Sequence, residues 1–234
     1  MSVPPSPVCL VTGYVRLDNP NRRHGVYVGL GRRLMALHRP VVAFLDDVDA
    51  PEGVIALPAS IERCWLWERA TSAALPAGNP QKDTAGYLTV QHQKTAWLAD
   101  AVDRTDADVL VWIDFGVLHN GRITEGLIVD FLTRVPRVSR DRITLPSIWP
   151  LAAPVDIRYD VPNWFVAGAI AIVPRHLAAW WHHLVQAAAR QQLEASGRLT
   201  WEVNTWAAVA RQHPSLFETY PADHNETLFT MLRP

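Results

Sequence analysis

Three short apolar runs set the layout of the chain: "VCLVTGYV" (residues 8–15), "PVVAFLDD" (40–47) and "DVLVWIDFG" (108–116). A half-exposed strand alternates apolar and polar residues. A short continuous run is instead a strand covered on both faces, as in a parallel sheet. Between the first two runs, Tyr27, Leu30, Leu34 and Leu37 fall at helical spacing. Strand, helix and strand within about 40 residues mark a βαβ unit. The chain is therefore expected to be α/β, with a mostly parallel central sheet flanked by helices.

The rest of the chain fits one such unit. Residues 54–60 are compatible with a short strand, 64–70 are ambiguous, and the Pro- and Gly-bearing stretch 74–83 reads as loop. Residues 87–105 read as a long amphipathic helix with Leu88, Val90, Trp97, Leu98 and Val102 on its apolar side. Residues 125–135 read as a helix, 142–148 as a strand, and 164–174 as a strand with Gly168 inside it. A helix over 174–196 has Pro174 near its start and Gly197 beyond its end. A further helix over 200–213 is opened by Thr200, and the tail holds a loop and a last strand. Without repeat, linker or low-complexity segment, residues 1–234 read as a single Rossmann-like domain.

Composition narrows the function. The 49% hydrophobic share is enough for a sizeable core, and the net charge of −1 argues against a globally basic nucleic-acid binder. Basic clusters at Arg22-Arg23, Arg32-Arg33 and 134–142 read first as solvated surface. Cys9 and Cys64 form neither a metal-spacing motif nor a disulfide framework, which suits a reducing compartment. The opening "MSVPPSPV" lacks a signal-peptide pattern, and no apolar run nears the ~20 residues of a membrane span. A cytoplasmic protein with no membrane contact is the expectation. Ten tryptophans suit a core, and some suit a cleft, because indole stacks on bases and sugar rings.

The chemistry centres on Asp114-Phe115-Gly116. A protein kinase would need a Gly-rich hairpin, a strand lysine and an upstream His-Arg-Asp, none of which is present. In an open parallel sheet, ligands bind beyond the carboxyl ends of the strands. Thr12, Asp46 and Asp114 fall at such ends. A carboxylate there can hold a hard divalent ion that bridges two phosphates; a hydrogen-bonded strand cap is the competing reading.

The segment "VWIDFGVLHN" (111–120) resembles the Trp-Ile-Asp-x-Gly-(x)2-His motif of the HtrL/YibB-like glycosyltransferase family, a GT-A-type group. "VTGYV", "RRHGVYVGLGRRLMALHRPVVAFLDD", "YLTVQHQKTAWLADAV", "FVAGAIAIVP" and "WEVNTWAAVARQHPSLFETYPADHN" resemble further segments of that family in the same order. The resemblance implies a GT-A-like fold and transfer of a sugar, with UDP the expected nucleotide, from a nucleoside diphosphate sugar to an acceptor hydroxyl. It puts Thr12, Gly13, Arg23, Tyr27, Asp46, Lys94, Asp114 and Gly116 near the donor. Arg23 suits a diphosphate because its planar fork bonds two oxygens, and Lys94 would offset diphosphate charge unless it lies at the surface. Asp114 and His224 would form a mixed N/O site for Mn²⁺ or Mg²⁺, with Asp223 and His119 as weaker choices. Glu202 is the candidate base, with Asn204 orienting the acceptor; a helix-start acid is the rival reading. Trp164 and Gly168 would floor the acceptor site.

One departure matters. GT-A enzymes usually carry Asp-x-Asp, and here the third position is Gly116. That glycine favours the alternative of a non-catalytic nucleotide- or glycan-binding module. A second alternative is hydroxylated DNA as the acceptor, with the basic run 134–142 meeting phosphates.

Overall fold

The computed structural model describes residues 6–17, 23–77, 79, 82–138 and 140–233. Chain order is β1 (Val8–Tyr14), α1 (His24–Met35), β2 (Val41–Leu45), β3 (Ile55–Pro58), α2 (Trp67–Ala70), α3 (Ala85–Ala101) and β4 (Val109–Ile113). Then come α4 (Glu125–Arg134), β5 (Ile143–Ser147), β6 (Ile170–Pro174), α5 (Arg175–Ser196), α6 (Glu202–Gln212), β7 (Phe217–Pro221) and α7 (Thr227–Thr230). Short 3₁₀ turns fill several connections.

The strands form one seven-stranded sheet in the order β3-β2-β1-β4-β6-β5-β7. All pairings are parallel except those of β6, which runs against both β4 and β5. The expected α/β, mostly parallel, Rossmann-like architecture is what the chain adopts. β2, β4, β5 and β6 are buried along their whole length, because helices cover both faces of the sheet.

Alternate residues of each strand serve opposite faces. Cys9, Val11, Leu110 and Trp112 pack towards α3, α5 and α6, with Trp97, Trp181 and Trp206. Leu10, Val111 and Ile113 pack towards α1, α4 and α7, with Leu34, Phe131 and Phe229. Five of the ten tryptophans, Trp97, Trp112, Trp181, Trp201 and Trp206, are buried in the core.

Local chemistry sets the helix ends. Thr84 accepts a hydrogen bond from the Tyr87 amide (3.2 Å) and Thr124 one from the Leu127 amide (3.3 Å), so each caps a helix start. Gly197 ends α5 in the left-handed region at φ 64°, its amide bonded to the Leu193 carbonyl at 2.7 Å.

Three local expectations fail. α3 is not amphipathic: Thr89, His92, Gln93, Lys94 and Thr95 are buried along with its apolar residues, because the sheet lies on one side of it and α5 and α6 on another. The strand expected over 164–174 begins only at Ile170, so Gly168 lies in the irregular segment before β6. Thr200 does not cap α6; its hydroxyl accepts a hydrogen bond from the Asn204 side chain (2.8 Å). Residues 78, 80 and 81 of the expected loop, Arg22, and Ser139 of the basic run lie outside the described residues. Among the described residues, no helix is long and apolar enough to cross a membrane.

Candidate functional site

A cleft of about 390 Å³ opens beyond the carboxyl ends of β1 and β4. The carboxylate of Asp114 sits there because β4 ends at Ile113 and the Asp114 amide is held by the Ala169 carbonyl at 2.9 Å. Trp112 and Asp114, two apart on the chain, point to the same face, and the Trp112 indole donates to Asp114 Oδ1 at 2.8 Å.

Lys94 rises from α3 into the same place. Its ammonium lies 3.0 Å from Asp114 Oδ1, 3.0 Å from Glu202 Oε1 and 2.9 Å from the Gly168 carbonyl. An ammonium has three protons, so these contacts use them all. The Lys94 side chain is 3% exposed, and that of Glu202 4%. Burial by itself would lower the Lys94 pKa; the charges of Asp114 and then Glu202 outweigh it and hold the ammonium above its ordinary range.

Two carboxylates meet one ammonium, which leaves the cluster with one excess negative charge. Both protein contacts of the Asp114 carboxylate fall on Oδ1, so Oδ2 has no donor among the described residues. Glu202 Oε2 is buried and without a hydrogen-bond partner. A buried charged acceptor without a donor is costly, and this one belongs to a residue that lines an open cleft.

The wall beyond Glu202 is aromatic. Trp164 meets Trp201 edge-on at 6.1 Å and His224 edge-on at 4.3 Å. Burial lowers the His224 pKa below its ordinary value, only partly offset by Asp223, so the ring is neutral and able to offer a lone pair. On the opposite side lie Gly13, Tyr14, Tyr27, Gly116 and His119.

Two glycines are fixed by close approach. A Cβ on Gly168 would sit 2.2 Å from Glu202 Oε1, so any side chain there would dislodge the Lys94–Glu202 pair. A Cβ on Gly116 would sit 2.2 Å from the Tyr27 ring. A side chain at 116 would displace Tyr27.

Of the residues singled out from sequence, Gly13, Tyr27, Lys94, Asp114, Gly116, His119, Trp164, Gly168, Glu202 and His224 all line this cleft. Four do not. Thr12 is fully buried, and its hydroxyl donates to the Ile113 carbonyl (2.8 Å), tying β1 to β4. Arg23 stands at the start of α1, where its carbonyl accepts from the Val26 and Tyr27 amides. Asp46 accepts from the Arg16 amide (3.0 Å), fastening the turn after β1. Asn204 is fully buried, its side chain bonded to Asn163, Thr200 and the carbonyls of Arg158 and Val161; it fixes a loop and does not face an acceptor. Asp223 Oδ1 accepts from the His224 amide at 2.6 Å and lies 3.5 Å from the His224 ring nitrogen Nδ1.

Gly168 lines the cleft, and its carbonyl holds Lys94. Sequence reading missed Trp112, whose i, i+2 spacing from Asp114 was the available signal. It also missed Tyr87, Lys82 and Trp201 as lining residues. The basic run 134–142 lies at the opposite edge of the sheet. Arg140 pairs with Asp108, just before β4, and Arg134 donates to the Phe229 and Leu232 carbonyls. Among the described residues, no three His, Cys, Asp or Glu side chains gather as a metal-binding group. Comparison with protein-family models and with curated proteins finds no match to this chain.

Proposed function

We propose that this chain is a metal-assisted glycosyltransferase that moves a sugar from a nucleoside diphosphate sugar, with UDP the favoured nucleotide, to an acceptor hydroxyl. The observation that carries the reading is a carboxylate oxygen without a donor among the described residues on each of two residues that line one cleft at the carboxyl edge of the sheet, Asp114 Oδ2 and the buried Glu202 Oε2. The ordered resemblance to the HtrL/YibB-like family supports it.

Each oxygen has a distinct use. Glu202 Oε2 lacks a donor, and an acceptor hydroxyl supplies one. As the acceptor oxygen bonds to the anomeric carbon, its proton passes to Oε2. The anomeric carbon–oxygen bond breaks, and its electron pair leaves with the nucleoside diphosphate. A single displacement of this kind inverts the anomeric centre. Lys94 grips Glu202 through Oε1 and leaves Oε2 to that proton.

Asp114 Oδ2 and a neutral His224 ring nitrogen would hold Mn²⁺ or Mg²⁺, with diphosphate oxygens completing the shell. The bound ion would neutralise the departing diphosphate. Two protein ligands fit an ion that arrives with the nucleotide better than one held permanently.

A thermal-shift series tests this directly. UDP with Mn²⁺ raises the midpoint, UDP alone does not, and Asp114→Asn abolishes the metal-dependent shift. Equal shifts in wild type and Asp114→Asn would reduce Asp114 to a strand cap and remove the basis of the reading.

A further inference from the structure

His119 lines the cleft and carries an acceptor that the protein does not use. It ends the 3₁₀ turn Val117–His119, which follows Asp114. The turn is tightly built. The Val117 amide donates to the Asp114 carbonyl and the His119 amide to the Gly116 carbonyl, each at 2.9 Å. Next to it, the Asn120 side chain donates to the His224 carbonyl (3.0 Å) and accepts from the Arg122 amide (3.1 Å).

The His119 ring is fixed along with its turn. Its Nδ1 lies 2.6 Å from the Gly116 carbonyl. A carbonyl oxygen only accepts, so Nδ1 carries the proton. The ring also stacks on Tyr27, with centroids 6.4 Å apart and planes 22° from parallel, and Tyr27 is itself packed against Gly116. With the proton on Nδ1, Nε2 of the neutral ring offers a lone pair alone. Nε2 has no hydrogen-bond partner among the described residues. The Tyr14 hydroxyl on the same side of the cleft is, by contrast, engaged by His24 Nδ1 at 2.8 Å.

The order of groups in a nucleoside diphosphate sugar decides what meets that lone pair. On the sugar-transfer reading, the diphosphate lies at Asp114 and the reacting sugar at Glu202. The nucleoside then extends towards the side that carries Tyr27 and His119. Proteins read an unstacked base by aromatic stacking and by hydrogen bonds to its polar edge. Uracil in a nucleoside has one N–H, the imide N3–H. Cytosine has a lone pair at that position, which would face the lone pair of Nε2.

We propose that His119 selects the base of the donor, its Nε2 accepting a hydrogen bond from the imide N3–H of uracil; this rests on the sugar-transfer reading of the cleft. Isothermal titration calorimetry with UDP and CDP, each with and without Mn²⁺, tests it. The wild-type protein should bind UDP–Mn²⁺ about tenfold tighter than CDP–Mn²⁺, the worth of one hydrogen bond. His119 is exposed, so replacing it leaves the core intact. His119→Phe keeps a flat ring beside Tyr27 without the lone pair, and should bind UDP only as well as CDP. His119→Gln offers a carbonyl oxygen in place of Nε2 and should regain affinity for UDP. Equal binding of UDP and CDP by the wild type, or a preference that survives in His119→Phe, overturns the assignment. So does an equal loss of both nucleotides in His119→Phe, which would put the ring on the ribose, or a loss of the Mn²⁺ requirement, which would make it a metal ligand. Metal-dependent binding without base preference removes the role of His119 alone; no metal-dependent binding of either nucleotide removes the transfer reading with it.

Discussion

Lys94 shows how much one buried charge can organise. Its sequence surroundings leave two readings, a cleft lysine or a surface lysine, because periodicity says only that a face exists. The fold buries it and gives it two carboxylates and a carbonyl. Each carboxylate is thereby gripped through one oxygen, and the other oxygen of each is without a donor among the described residues. Removing the ammonium leaves two facing negative charges in a site where Glu202 is 4% exposed. Lys94→Met is expected to cost about 3–5 kcal/mol, the usual penalty for breaking a buried ion pair from one side. Urea denaturation measures it. Adding Glu202→Gln to Lys94→Met should recover part of the loss, because it removes one of the stranded charges. Asn204 teaches the opposite lesson. It shares the "WEVNTW" segment with Glu202, yet two residues along a helix turn a side chain to another face, and Asn204 braces a loop instead.

At the scale of elements, α3 is the informative failure. Its apolar residues mark a helix correctly, but its polar residues do not mark a solvent face. His92 is buried, with Nδ1 unpartnered and Nε2 3.4 Å from the Thr205 hydroxyl. Burial first, and the Lys94 charge second, push its pKa down to about 3. Unfolded, the ring titrates near 6.5. Between those values the unfolded chain binds a proton that the native chain refuses, so stability falls as pH drops from about 6.5 towards 3. His92→Gln removes that term. The stability lost between pH 7 and pH 5 should shrink by about 2 kcal/mol in the variant, read from urea curves at the two pH values. An unchanged loss would mean that His92 is protonated or solvated in the native protein. The strands, by contrast, were legible because continuous apolar runs have few alternatives in a chain this polar between them. The β6 segment was read too long, since "WFVAGA" is as apolar as a strand and only tertiary contacts show that it is loop.

At the scale of the molecule, the cleft draws its residues from distant parts of the chain: Gly13 near the end of β1, Lys94 on α3, Asp114 after β4, Trp164 and Gly168 before β6, Glu202 on α6 and His224 beyond β7. On the proposed reading, turnover depends on that whole assembly. Glu202→Gln should keep the UDP–Mn²⁺ thermal shift and lower sugar transfer by about 10²–10⁴-fold, the range for a lost general base. Chelating the metal should return the UDP complex to the ligand-free midpoint. Full transfer activity in Glu202→Gln would remove the base assignment. The sequence by itself determined the class of architecture, since apolar runs and helical spacing are local patterns set by burial. It also singled out Asp114, because an acid that ends a buried strand stands out along the chain. Only the tertiary structure decided that β6 runs against its neighbours, that Lys94 joins Asp114 to Glu202, and that Thr12, Asp46 and Asn204 serve the scaffold. Those outcomes depend on which distant side chains share a volume, and a charge buried by its partners is indistinguishable in sequence from one left in water.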